Sequence, residues 1–204
     1  MKRHAPATLR NRDPLLDVLK RWLPGHPTVL EISAGSGEHA AYFAPRFPGH
    51  LWRPTDMGAA ELASIEGHRA DADAPNLLPA MRLDVRERPW SSGPVHVVFC
   101  ANMIHIAPWE CCVALFEGAA EVLAPGGLLL LYGPFRIDGR HTADSNASFD
   151  EWLRSQDPRW GVRDLGEVNA VARAAGFEEV ERNAMPANNL TVVWRLDRPG
   201  ASPG

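Results

Sequence analysis

The segment that most restricts the fold is residues 28–44, "TVLEISAGSGEHAAYFA". It begins with a short apolar run typical of a buried strand, passes through Gly35 and Gly37, and continues as a helical stretch of small residues. Glycines permit a tight turn and let backbone amides approach a ligand, and the following helix N-terminus favours electron-rich groups. The segment therefore predicts a nucleotide-type cofactor site. Ser33 stands where a glycine is often found, and we expect the turn to require only a small residue there.

The segments that follow predict an α/β fold. Four further strand-like runs alternate with helical stretches: "HLWRPTD", "MRLDV", "PVHVVFCANMI" and "LLLLYGPF". This alternation indicates a parallel sheet of βαβ units. Near the end, "FEEVERNAM" and "NLTVVWRL" follow each other without a helix between them, which predicts an antiparallel pair at the sheet edge. We therefore expect a Rossmann-like, seven-stranded, mostly parallel sheet with an antiparallel last strand and helices on both faces.

Capping signals predict where several helices begin and end. Asp13 followed by Pro14 is typical of a helix start. Ser148 with Glu151 forms a capping box that predicts the start of a later helix, and Asp164 with Glu167 predicts the next one. Gly176 is placed to end that helix in a left-handed conformation.

Composition limits the class of protein. The chain has 204 residues, enough for one domain, and we expect a mobile N-terminus over residues 1–9, a single domain over 10–196 and a disordered tail over 197–204. A formal net charge of -4 argues against a nucleic-acid binder. The first residues lack the apolar region of a signal peptide, and no apolar run approaches the length of a membrane span.

The cysteines and histidines bear on the cellular compartment and on metal binding. Three cysteines, an odd number without a CxxC motif, indicate reduced thiols in a cytoplasmic protein. The vicinal pair Cys111 and Cys112 is interpreted as buried packing. The eight histidines are scattered and form no H-E-x-x-H motif, so no metal site is predicted.

The glycine turn by itself allows two cofactors. Gly35-x-Gly37-x-x-Ala40 satisfies a dinucleotide pattern, and Asp56 lies where an acid would bind a ribose. An NAD-dependent oxidoreductase is therefore one alternative, although such an enzyme usually needs a second, substrate-binding domain.

Acidic residues near the ends of successive strands favour S-adenosylmethionine. Glu31 comes just before the turn, where a carboxylate can approach the ammonium end of that cofactor, and Asp84 follows the third strand, where it could meet the adenine amino group. Parallel sheets bind ligands at the carboxyl ends of their strands. The predicted cofactor-binding residues are Glu31, Ser33, Gly35, Gly37, Asp56, Asp84, Val85 and Asn102.

Several segments carry a resemblance to a known family. They are "RNRDPLLDVL", "LEISAGSGEHAAYFA", "LWRPTD", "LDV", "CANMIHIAPWE", "LFEGAAEVLAPGGLLLLYGPF", "SNASFDEWLRSQDPRWGVRDL" and "MPANNL", in order from residue 10 to about 195. The sequence resembles the methyltransferase-like proteins of unknown function found in many bacteria and, as methyltransferase-like protein twenty-six, in vertebrates. The resemblance implies a class I S-adenosylmethionine-dependent methyltransferase fold in which a small residue at Ser33 is normal, and it implies no particular substrate.

Methyl transfer is an in-line displacement, so the enzyme chiefly aligns the acceptor and excludes water, with a base needed only for a protonated nucleophile. His105, after the fourth strand, and His141, in a long polar loop, are the candidate catalytic residues; a purely structural role for His105 remains an alternative. The segment "CANMIHI" is not the N-P-P-Y type associated with amide or nucleobase nitrogens. The candidate substrate-binding residues are Arg10, Asn102, Tyr132, Phe135, Asn146 and Asn188, each with packing, capping or a turn as the alternative.

The sequence therefore predicts a monomeric or homodimeric methyltransferase that transfers the methyl group of S-adenosylmethionine to an O, S or N atom of a small molecule. A non-catalytic scaffold or sensor that binds the same cofactor is a second alternative, beside the oxidoreductase.

Overall fold

The computed structural model describes residues 2–197, and the remainder of the predicted tail lies outside the described residues. The helices are α1 Pro6–Trp22, α2 Glu38–Phe43, α3 Ala59–Asp71, α4 Trp109–Val122, α5 Asp144–Gln156 and α6 Leu165–Ala174. The strands are β1 Thr28–Ile32, β2 Leu51–Asp56, β3 Met81–Arg82, β4 Val95–Ala101, β5 Leu123–Gly133, β6 Phe135–Ile137, β7 Arg140–His141, β8 Arg163–Asp164, β9 Phe177–Met185 and β10 Asn189–Leu196.

The main sheet has seven strands in the order β3-β2-β1-β4-β5-β10-β9. Neighbours from β3 to β5 are parallel, whereas β10 pairs antiparallel with both β5 and β9. The predicted mostly parallel, seven-stranded sheet with an antiparallel last strand is confirmed. Because β10 lies between β5 and β9, only β9 of the predicted antiparallel pair lies at an edge of the sheet; β3 forms the opposite edge. A separate small sheet pairs β7, β6 and β8.

Apolar side chains cover both faces of the sheet, as the strand sequences predict. Along β4, Val98 and Cys100 join the core beneath α4 and α6. The alternate residues Val97 and Phe99 join the core beneath α1 and α2. Helices therefore pack on both faces, and the carboxyl ends of the central strands remain the open edge of the sheet.

The start of α1 differs from the sequence prediction. The helix begins at Pro6, with proline at its first turn, and Pro14 lies inside the helix, so the predicted start at Asp13 is wrong. Pro14 lacks the N–H that would bond the preceding turn. The helix continues through it because the turns on either side bury Thr8, Asn11 and Leu15 against the rest of the chain. The predicted mobility of residues 1–9 stays a prediction.

The other predicted caps are partly correct. Helix α5 begins at Asp144 with no side-chain cap, so the predicted start at the Ser148 capping box is wrong. Asp164 does cap α6, where its carboxylate accepts a hydrogen bond from the Gly166 amide at 2.8 Å. Gly176 follows that helix with a φ of +86°, as predicted for its end. Among residues 2–197, none of the helices combines the length and apolar character that crossing a bilayer requires.

Candidate functional site

Two cavities open at the carboxyl ends of the central strands. Cavity A, of about 310 Å³, is lined mainly by residues that follow β1, β2, β3 and β4: Ser33, Met57, Asp84, Val85, Met103 and Cys111 among them. Cavity B, of about 410 Å³, lies beside α1, β5 and α5, and its lining includes Arg10, Asn11, Asn102, Tyr132, Asn146 and Asn189. The consecutive residues Asn102 and Met103 line one cavity each, so the cavities are neighbours.

The glycine turn wraps the end of β1 in left-handed backbone. Its φ values are +54° at Ser33, +58° at Gly35 and +88° at Gly37. At Gly37 a Cβ atom would lie 2.6 Å from Ile65 Cα, so this position excludes any side chain. The expectation that position 33 requires only a small residue is incomplete, because Ser33 also occupies backbone that glycine adopts without strain.

Asp56 holds the turn in place from the end of β2. Its carboxylate accepts hydrogen bonds from the Gly35 amide at 3.0 Å and the Gly58 amide at 3.1 Å. Asp56 is itself buried, and the next residue, Met57, lines cavity A. The carboxylate therefore joins the two loops that border cavity A.

Asp84 and Val85 lie in the wall of cavity A, where the sequence predicts contacts with the adenine end of a cofactor. The Asp84 carboxylate accepts two side-chain hydrogen bonds from Arg86, at 2.9 and 2.6 Å. These bonds and the Arg86 charge hold the pKa of Asp84 below its ordinary value. Asp84 is thus an ionised acceptor held in one orientation.

Glu31 is buried behind the turn and is not among the described residues that line either cavity. Its Oε2 accepts a hydrogen bond from Trp52 Nε1 at 2.6 Å. Burial raises the pKa of Glu31 to about 8; the bond from Trp52 acts against this and the charge of Asp56 adds to it. The carboxyl group is therefore mostly protonated at neutral pH, and its predicted cofactor contact stays a prediction.

His105 lies beneath the site, with a ring that is fully buried and outside the described linings of both cavities. Burial, aided by the charge of Arg163, lowers its pKa to about 3. Its Nδ1 accepts the Arg163 amide at 3.4 Å, and its carbonyl accepts the Gly161 amide at 2.9 Å. His105 therefore anchors the segment 157–163, part of which covers cavity A, and this geometry favours the structural alternative.

His141 also lies away from the described cavity walls. Its Nε2 is 3.6 Å from Asp150 Oδ2, and its Nδ1 is buried without a partner among the described residues. Phe135, predicted to contact substrate, is fully buried and packs edge-on against His105 with ring centroids 5.1 Å apart. Neither the two histidines nor Phe135 faces cavity B.

Tyr132, by contrast, lines cavity B at the end of β5, and amides hold its hydroxyl group. Asn189 Nδ2 donates to the hydroxyl oxygen at 2.9 Å, and Asn11 hydrogen-bonds the same hydroxyl. Asn11 Oδ1 in turn accepts from His39 Nε2 at 2.8 Å. Burial raises the pKa of Tyr132, which therefore stays protonated at neutral pH.

Two loops close cavity B from the other side. The buried Asn146 donates through Nδ2 to Thr142 Oγ1 at 3.0 Å and to the Asn188 carbonyl at 2.9 Å. Asn146 therefore ties the start of α5 to the 186–188 turn. Asn188 itself is exposed and lies outside the described lining of cavity B, whereas its neighbours Ala187 and Asn189 line it.

The structure thus brings together seven of the predicted residues in the two walls: Arg10, Ser33, Asp84, Val85, Asn102, Tyr132 and Asn146. Sequence reasoning missed Arg86, Asn11 and His39, whereas Asn189 is, with Asn188, a candidate that the segment "MPANNL" offers for a substrate contact. It also assigned Cys111 to packing alone, although this thiol borders cavity A. The segments "RNRDP" and "MPANNL" contain Asn11 and Asn189, but nothing in either pattern links them to Tyr132.

Comparisons with solved structures show a shared fold. An O-methyltransferase family protein from Burkholderia thailandensis superposes with a TM-score of 0.80 at 18% identity, over 93% of this chain and 57% of that one. Human N-acetylserotonin methyltransferase in complex with SAM superposes with a TM-score of 0.70 at 16% identity, over 90% of this chain and 54% of that one. A putative methyltransferase from Bacillus halodurans C-125 superposes with a TM-score of 0.70 at 16% identity, over 88% of this chain and 97% of that one.

The chain therefore spans a little over half the length of the first two proteins, and the likeness establishes the class I methyltransferase fold. The sequence itself matches one family model over residues 2–196. Because that match covers nearly the whole chain, the chain belongs to the family described as Protein of unknown function (DUF938).

Proposed function

We propose that this protein is an S-adenosylmethionine-dependent methyltransferase of the methyltransferase-like protein twenty-six type, acting on an O, S or N atom of a small molecule. The observation that carries the proposal is the pair of neighbouring cavities at the carboxyl ends of the parallel strands, bordered by the glycine turn and meeting at Asn102 and Met103. One cavity suits a cofactor and the other an acceptor, and a displacement reaction needs both side by side.

Cavity A fits the adenosine part of the cofactor. Asp84 supplies an ionised acceptor for an amino group, and Val85, Met103 and Cys111 supply apolar contacts. The turn from Ser33 to Gly37 would carry the other end, with Asp56 holding Gly35 in place. When bound, the cofactor supplies the electrophilic methyl group. Asn102 lines cavity B next to Met103 of cavity A, and this position supports a contact with cofactor or acceptor.

The described walls of cavity B contain neither an acid nor a histidine. Because Tyr132 keeps its proton at neutral pH and both predicted histidine bases lie elsewhere, we assign no general base. The residues of this cavity orient the acceptor and exclude water, and the favoured acceptors carry a nucleophile that is already unprotonated. The three cysteines are unpaired and buried, which fits the cytoplasm, where we propose that the protein acts as a monomer or homodimer.

Cofactor binding is the first test. Isothermal titration with S-adenosylhomocysteine and with NADH separates the methyltransferase from the oxidoreductase. We expect S-adenosylhomocysteine alone to bind, and Asp84→Asn to weaken it about tenfold through the loss of a charged hydrogen bond. The matched control Asp17→Asn changes an exposed acid on α1 and should leave the affinity unchanged. Binding of NADH but not S-adenosylhomocysteine would overturn the proposal.

Transfer itself is the second test. A panel of small thiols, phenols, amines and carboxylic acids is incubated with cofactor labelled in the methyl group, and label in any product supports the enzyme. Cofactor binding without transfer to any member of a broad panel would instead favour the scaffold or sensor.

A further inference from the structure

The walls of cavity B offer hydrogen-bond donors and a positive charge. Arg10 lines the cavity and, within residues 2–197, makes no hydrogen bond or ion pair with another residue. The described lining contains neither Asp nor Glu, so no carboxylate in the cavity wall pairs with the Arg10 guanidinium. An unpaired arginine on a cavity wall presents a planar fork of donors that matches a carboxylate.

Tyr132 provides a second donor on the same wall. The amide of Asn11, whose Oδ1 accepts the proton of His39 Nε2, lies beside the Tyr132 hydroxyl. Asn189 donates to the hydroxyl oxygen of Tyr132. Since the hydroxyl oxygen accepts from Asn189, the hydroxyl has its own proton left to donate, and Tyr132 lines cavity B.

The donors lie next to an apolar surface. Ala7, Pro134, Phe149, Pro186 and Ala187 complete most of the lining. The Phe149 ring stacks on Trp152 with centroids 5.9 Å apart, which holds a flat aromatic surface at this side of the cavity. A ligand that fills the cavity must therefore combine an apolar, preferably flat, body with an acceptor group for Arg10 and Tyr132.

From this arrangement we infer that the methyl acceptor is a small carboxylic acid with an apolar or aromatic body, whose carboxylate is bound by Arg10 and Tyr132. A single guanidinium and one hydroxyl match the two oxygens of a carboxylate, whereas a phosphate usually recruits several cations or a helix N-terminus. The inference rests on the proposed function, since it assigns cavity B to the acceptor. His39 is a positioning residue here, because its hydrogen bond to Oδ1 orients the Asn11 amide that lies beside Tyr132.

The test compares acids with their neutral amides in the presence of S-adenosylhomocysteine. Dissociation constants of benzoate, phenylacetate and 4-hydroxybenzoate, and of the matching amides, are measured by ligand-observed NMR at millimolar concentration. We expect the acids to bind about fivefold more tightly than their amides, as a partly exposed charged pair allows. Arg10→Gln and Tyr132→Phe should each reduce that preference. Arg12→Gln is the matched control, because Arg12 stacks on Tyr42 and is not in the described lining.

Each outcome is decisive. Equal binding of acids and amides, an unchanged preference in Arg10→Gln, or no binding by any acid would overturn the inference. If Arg10→Gln weakens S-adenosylhomocysteine and not the acids, Arg10 serves the cofactor and the inference is wrong, while the proposed function stands. Failure of the wild-type protein to bind S-adenosylhomocysteine contradicts the proposed function, and the acid preference is then measured without it.

Discussion

Glu31 and Trp52 are joined by a hydrogen bond inside the core, from Trp52 Nε1 to Glu31 Oε2 at 2.6 Å. Trp52 is fully buried and Glu31 is 2% exposed, so the bond connects β1 to β2 inside the core. Burying this carboxyl group raises its pKa from 4.5 to about 8. The Glu31 carboxyl group, just before the glycine turn, therefore keeps its proton at neutral pH in the folded chain.

Stability should fall as pH rises because of Glu31. Its folded pKa lies above its unfolded value, so between pH 4.5 and about 8 the folded chain holds a proton that the unfolded chain has released. Its contribution is complete below pH 4.5 and is lost as the pH rises through this window. Glutamine cannot ionise, so Glu31→Gln should not lose stability in this window. We therefore expect the free energy of unfolding of the variant, relative to that of wild type, to be higher at pH 8.5 than at pH 5 by a few kcal/mol.

Urea denaturation at both pH values measures this difference. Glu178→Gln, at an exposed glutamate of the edge strand β9, is the control and should give nearly the same change in the free energy of unfolding at each pH. A pH-independent effect of Glu31→Gln would contradict the raised pKa.

Ser33→Gly should stabilise the fold by about 0.5 kcal/mol. A serine at a φ of +54° carries a conformational cost of about 1–2 kcal/mol, while glycine lowers stability by about 0.4–1 kcal/mol through the freedom it adds to the unfolded chain. The first effect is larger. Ser91→Gly in an exposed turn should show only the second effect and lower the urea midpoint. A loss of stability in Ser33→Gly equal to that control would show that Ser33 is unstrained.

Gly35 and Gly37 should respond differently to alanine. Both have positive φ, but a Cβ at Gly35 meets nothing within 4 Å, whereas at Gly37 it would lie 2.6 Å from Ile65 Cα. Gly35→Ala should cost about 1 kcal/mol from backbone strain, and Gly37→Ala about 3 kcal/mol because α3 must shift as well. Thermal and urea unfolding of the two variants give the comparison, and equal losses would contradict the close approach of Gly37 to α3.

The sequence contains most of the information on the main sheet, because its strands are separate strand-like runs and their parallel pairing follows from alternation with helices. It also predicts that Asp84, Val85 and Asn102 lie at the carboxyl edge of the sheet, where they line the two cavities, since the carboxyl ends of parallel strands meet at one edge. These predictions depend on the local sequence pattern of strands and helices and on the rule that parallel sheets bind ligands at the carboxyl ends of their strands.

What the sequence does not contain is the orientation of side chains that meet from distant segments. Asn11, His39 and Tyr132 come from α1, α2 and β5, and only the packing of these elements makes them one hydrogen-bonded network. For the same reason, the sequence alone predicts His105 to be a base at the site. It follows a strand end, but packing under Phe135 and Arg163 turns its ring into the core.

His105 and Gly133 should be energetically coupled, because the ring occupies the space that a side chain at position 133 would need. A Cβ on Gly133 would lie 2.5 Å from His105 Nε2. We expect Gly133→Ala to destabilise the protein by about 2 kcal/mol through overpacking. His105→Ala removes the ring and should by itself cost about 2–3 kcal/mol.

A double-mutant cycle measured by urea denaturation tests the pair. In the His105→Ala background the cost of Gly133→Ala should fall by at least about 1 kcal/mol, since the added methyl group then enters the vacated space. Gly49→Ala, where a Cβ meets nothing within 4 Å, is the control and should change stability by less than about 0.5 kcal/mol in either background. Additive losses in the cycle would mean that His105 does not fill this space, and the ring would then be free to turn toward Asn102 and cavity B.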